Sequence, residues 1–179
     1  MAAFYIVYFI GSLTIMTYLV AYLTEIGLLP VESGVGYSMF MLSMLFGQYL
    51  WGILSDHISR KYIITICLTL LAMFTWGLLV FNMGQTITYA IVCFMGIASG
   101  VIPVMFAIVA DCFEPKVAGT ASGIVIFIGA LGNIFGPLIA GSLATMTGTL
   151  ATALQVSIVM AVICAVISLT LRYRPKRAT

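Results

Sequence analysis

The charged residues of this chain are so unevenly spread that they leave six apolar stretches of about twenty residues, none with Asp, Glu, Lys, Arg or His near its middle. Wound as an α-helix, a stretch of that length crosses the roughly 30 Å hydrocarbon core of a bilayer. The expected spans are 2–23, 36–54, 62–80, 87–110, 118–141 and 149–171, and a basic tail follows at 172–179. The predicted fold is therefore an all-α integral membrane domain over 1–171. Transmembrane β-strands would alternate apolar and polar positions over about ten residues; these runs are apolar all round for twice that length.

Composition closes the other routes. Only 7% of the residues are charged, against the roughly one quarter that a soluble domain carries. A soluble enzyme, a nucleic-acid binder and a disordered regulator are excluded on that ground, and no nucleic-acid partner is expected. The four cysteines form no C-x-x-C pair, and the one histidine, His57, lies in a polar connection. No metal set, nucleophile–base pair or phosphate loop can be assembled from such residues, so neither catalysis nor a cofactor is expected.

Orientation follows from the basic residues. Arg60 and Lys61 lie between the second and third spans, Lys116 between the fourth and fifth, and Arg172, Arg174, Lys176 and Arg177 in the tail. The other three connections hold none. Six spans place every basic residue on one side, and the positive-inside rule makes that side the cytoplasm of a cytoplasmic membrane, with both termini inside. The lipid bilayer is thus the first expected partner.

The connection after the second span reads Gly52, Ile53, Leu54, Ser55, Asp56, His57, Ile58, Ser59, Arg60, Lys61. It resembles the cytoplasmic loop motif of the major facilitator superfamily, G-x-L-(A/S)-D-(R/K)-x-G-R-(R/K). Gly52, Leu54, Ser55, Asp56, Arg60 and Lys61 match; His57 stands where a base is usual and Ser59 where Gly is usual. A left-handed turn at Ser59 would cost about 1 kcal/mol without glycine. Gly52 suits close helix approach, and Asp56 suits the N-terminus of another helix, here the start of the fifth span. Arg60 and Lys61 need acids on the same side, and Asp111 and Glu114 are the ones available. The resemblance implies a latch that holds the cytoplasmic gate closed.

The fifth span, with Gly119, Gly123, Gly129, Gly132, Asn133, Gly136, Pro137 and Gly141, looks like the eleventh helix of a twelve-helix facilitator. The fourth span lacks the Arg usual in N-terminal halves, and the chain closes on its basic tail. Both features imply a C-terminal half, built as two inverted three-helix repeats and paired with an N-terminal half or a second copy. Gly47-Gln48 and Gly132-Asn133 lie at similar depths in the second and fifth spans, a faint internal symmetry.

With no charge at mid-span, a solute must be met by uncharged polar groups. Tyr5, Tyr8, Ser12, Tyr18 and Tyr22 share one side of the first span, where a cavity, an aromatic belt or plain packing would each use them. Tyr8, Ser12, Tyr18, Gln48 and Asn133 are the expected cavity residues, since an amide facing lipid is costly. Pro103 and Pro137 are expected to bend the fourth and fifth spans. The resemblance implies symport or antiport of a small solute, an organic acid or a sugar, by alternating access. The rival expectations are a self-pairing half transporter and a non-transporting membrane scaffold.

Overall fold

The computed structural model describes residues 2–80 and 84–170. They form seven α-helices: α1 (Ala2–Glu25), α2 (Pro30–His57), α3 (Arg60–Val80), α4 (Gly84–Ser99), α5 (Ile102–Cys112), α6 (Pro115–Thr147) and α7 (Ala151–Thr170). No strand occurs among the described residues. Taking α4 and α5 together, six helical segments are long and apolar enough to cross a membrane. The expected tail at 172–179 lies outside the described residues.

Beyond shifts of two or three residues at helix ends, three differences from the sequence expectation stand out. α2 starts at Pro30 rather than 36, because Pro30 occupies its first turn and the Glu32 carboxylate accepts the Leu29 N–H at 2.9 Å. α6 runs on to Thr147, where Gly148 turns left-handed at φ 74° and donates its N–H to the Ala144 carbonyl. Apolar length marks the membrane core, and these helices overrun it. The third difference is a break. The fourth span is interrupted at Gly100 and Val101, and Pro103 falls in the first turn of α5. Pro137, by contrast, lies inside the continuous α6.

The packing has an internal two-fold logic. The first span packs on the fifth (α1 on α6) and the second on the fourth (α2 on α4). The first also packs on the sixth (α1 on α7), as the third does on the fourth (α3 on α4), and α3 on α7 closes the set. Exchanging spans one to three with four to six maps these pairs onto one another, as two inverted three-helix repeats require. This is the architecture of half a major facilitator fold.

Small residues draw the paired helices together, as expected where lipid is as apolar as leucine. A Cβ on Gly47 of α2 would lie 2.8 Å from the Ile97 Cα, and one on Gly100 would reach the backbone of Gly47. In the other repeat, a Cβ on Gly132 of α6 would meet the Ile6 carbonyl, and one on Gly136 would lie 3.0 Å from the Ile10 Cα. Gly47 and Gly132 thus do the same work at equivalent seams. Two large apolar clusters fill most of the interior, with a small third one of Ala140, Ala144 and Ala153. One holds Tyr5, Tyr8, Ile63, Met105, Val109 and Cys164; the other holds Leu19, Leu23, Phe40, Leu78, Met95 and Leu154.

Candidate functional site

The turn joining α2 to α3 is built without strain. Ile58 is extended at φ −115°, and the Ser59 carbonyl accepts the N–H groups of Tyr62 and Ile63 to start α3. No residue other than glycine takes a positive φ among those described, so Ser59 carries none of the cost that a left-handed turn would impose.

This turn aims Arg60 at the end of α5. Its Nη1 donates to the Asp111 carboxylate at 2.5 Å and to the Ala107 carbonyl at 2.6 Å. Close to the C-terminus of α5, the guanidinium also meets the negative end of the helix dipole. The side chains are 21% and 30% exposed, so the pair is shielded from water on most sides. Lys61 does not join it; its ammonium lies 4.9 Å from the centre of the Tyr62 ring. Glu114 is exposed and instead lends its carbonyl to the N–H groups of Val117 and Ala118 at the start of α6. Asp56 is exposed, with no hydrogen bond or ion pair among the described residues. A Cβ on Gly52 would likewise meet nothing within 4 Å, nor would one on Gly119 or Gly123. The motif residues on α2 and the start of α6 therefore face open space rather than each other, which corrects the expected contact of Asp56 with the fifth span and the close approach expected at Gly52.

The tyrosine face of α1 serves a purpose the sequence left open. Tyr5 donates to the Met105 carbonyl at 2.6 Å, Tyr8 to Ser99 at 3.4 Å, Tyr18 to Pro137 at 2.9 Å and Tyr22 to Leu78 at 3.3 Å. Each hydroxyl is spent on another helix's backbone. The Ser99 case has a clear cause: Pro103, four residues on, has no N–H to give it. The break also leaves the Ile97 carbonyl short of its usual partner, and Trp51 of α2 supplies an indole N–H at 2.7 Å. Tyr8 is only 3% exposed and belongs to the core, not to an open cavity. Ser12 lines a small internal void with Tyr8, Gly11 and Ser157. Tyr18 instead borders an open pocket of about 560 Å³ between α1 and α6, beside Glu25, Thr145 and Thr149. Glu25 is exposed, and its carboxylate accepts the Leu150 N–H at 2.9 Å, just ahead of α7.

Gln48 and Asn133 differ from the tyrosines. Each follows its seam glycine, Gly47 or Gly132, and each is half-buried. Neither amide has a side-chain partner among the described residues. Two symmetry-related amides thus remain with their hydrogen bonds to give, on the two helices whose apolar side chains are most open. Phe46 and Tyr49 on α2 are 73% and 74% exposed, and Phe127, Ile134 and Leu138 stand out likewise on α6.

The sequence profile of the Major Facilitator Superfamily matches residues 1–179. A benzoate transport protein from Acinetobacter baylyi is 30% identical over 126 residues, covering 66% of this chain. The matched stretch spans 27% of that relative's length. Taken with six helical segments long and apolar enough to cross a membrane, packed as two inverted triplets, the match establishes a multi-pass membrane protein: the chain belongs to the major facilitator superfamily.

Proposed function

We propose that this chain is the C-terminal six-helix half of a secondary transporter, moving a small solute across the cytoplasmic membrane by alternating access with both ends inside. The observation that carries this reading is the pair of unpartnered amides, Gln48 and Asn133. A primary amide has two donors and an acceptor that hydrocarbon cannot satisfy. Placed on the open faces of α2 and α6, they call for a water-filled cavity and a second six-helix body across it. The open glycines Gly52, Gly119 and Gly123 leave that body room for close approach at the motif end. There Asp56 has a free carboxylate to offer a helix N-terminus. The Arg60–Asp111 tie holds α3 to α5 and steadies the motif turn when that end is shut.

The solute class follows from the lining. Amides read hydroxyl and carboxylate oxygens without supplying a charge, so the counter-charge for an anion belongs to the other half. The benzoate-transporting relative makes aromatic carboxylates the first solutes to test, within the wider class of organic acids and sugars. The test is uptake of labelled benzoate, then of other organic acids, into vesicles carrying the protein with its partner half. Gln48→Ala and Asn133→Ala are each expected to lower uptake about tenfold at low solute, the worth of about one hydrogen bond to a buried group. Membrane levels should hold. Unchanged uptake with falling protein levels would make the amides structural and overturn the reading.

A further inference from the structure

Away from the proposed cavity, α3 and α7 enclose an apolar groove of about 630 Å³, walled by Ala72, Met73 and Trp76 on one side and Ile158, Val162 and Val166 on the other. Two threonines, Thr65 and Thr69, also line it, but their hydroxyls are already committed. Thr65 donates to the Lys61 carbonyl at 2.9 Å and Thr69 to the Thr65 carbonyl at 2.8 Å. Back-bonded in this way, they use their hydroxyl hydrogens within α3. The groove therefore offers a polar solute no uncommitted hydroxyl donor. Trp76 is 57% and Met73 63% exposed, so the groove opens outward to whatever surrounds the bundle.

A charge lies one helical turn beyond the Thr65 end of the groove. Lys61 precedes Thr65 by one turn and Thr69 by two, on the same side of α3. It forms no ion pair among the described residues. Its backbone is held in place, because Ser168 of α7 donates to the Lys61 carbonyl at 3.2 Å and Thr65 lies 3.3 Å from Ser168. The polar knot fixes the Lys61 backbone one helical turn before the slot's first lining residue, Thr65, while its ammonium rests over the exposed Tyr62 ring. From Thr65 to Gly77 the slot runs twelve helical residues, about 18 Å. That is close to one leaflet of a roughly 30 Å hydrocarbon core.

We infer that this groove binds an anionic phospholipid, with one acyl chain along α3 and α7 and the headgroup phosphate on Lys61. Charge complementarity and depth together select this occupant. A neutral hydrocarbon would not use the ammonium, and a protein helix would leave it unpaired. The inference needs the membrane setting alone and stands whether or not the transport reading does.

Native mass spectrometry of the protein as extracted from its membrane, titrated with phosphatidylglycerol or phosphatidylcholine of matched chains, tests it. Phosphatidylglycerol should bind about fivefold more tightly, the size of one lysine's attraction to an anionic headgroup. Lys61→Gln should bring that ratio to about one while leaving phosphatidylcholine binding intact, and Lys61→Arg should keep it. Thr69→Trp, which fills the slot from an exposed position, should weaken both lipids. Lys116→Gln, remote on α6, should change nothing. Equal binding of the two lipids by the unaltered protein would overturn the site. So would a preference that survives Lys61→Gln, one lost equally in Lys116→Gln, or a second copy of the chain displaced by Thr69→Trp.

Discussion

Arg60 shows how one side chain ties two helices, and Trp51 how one compensates for an interruption in the backbone. Arg60 donates to two acceptors at once, the Asp111 carboxylate and the Ala107 carbonyl. Arg60→Ala removes the charged donor from both, and its expected cost is about 1–3 kcal/mol, because the pair is largely shielded. Arg60→Lys keeps the charge but loses the planar fork, and should recover only part of it. Thermal unfolding in detergent checks both, and a loss within error for Arg60→Ala would contradict the assignment. Trp51→Phe keeps most of the ring's apolar area but removes the donor to Ile97. Its carbonyl keeps the Gly100 N–H at 3.1 Å, so a loss of about 1 kcal/mol is expected. That Arg60 needs an acid was legible from the sidedness of the charges, which narrowed the partner to Asp111 or Glu114. Which of the two it takes was not, because the choice depends on where α5 stops. The tyrosines of α1 were harder still. Their partners are carbonyls, and only the break beside Pro103 explains why Ser99 needs a donor.

At the scale of elements, glycines divide into two kinds that composition alone does not separate. Gly47 and Gly132 lie in seams where an added methyl meets backbone, while Gly52 and Gly119 face open space. Gly47→Ala and Gly132→Ala should each destabilise the bundle by about 1–3 kcal/mol, and by similar amounts, since the seams are equivalent. Gly52→Ala should leave the stability of these six helices nearly unchanged yet lower transport by the assembled protein. Comparing detergent stability with uptake for the three variants checks this; equal losses of stability at Gly47 and Gly52 would contradict it. The spans themselves were plain in the sequence, because apolar length is what a bilayer demands. Their ends were not: Pro30 with Glu32, and Gly148, carry α2 and α6 past the apolar core. The seam role of Gly47-Gln48 and Gly132-Asn133 was visible only as a faint resemblance between two helices, and acquired meaning once both were seen to pack on equivalent neighbours.

For the molecule as a whole, burial is distributed as in a structure meant to be joined. α1 and α3 are well enclosed, whereas α2 and α6 present large apolar side chains outward together with the two free amides. Lipid would satisfy the apolar groups but not Gln48 and Asn133. The central claim is that a second six-helix body covers those faces, and the mass of the protein assembly in its source membranes addresses it most directly. Detected through this sequence after mild detergent extraction, the protein part should weigh roughly twice the 19.3 kDa of this chain, whether the second half is joined covalently or not. A homogeneous particle of this chain's mass alone, still competent in solute uptake, would contradict the account.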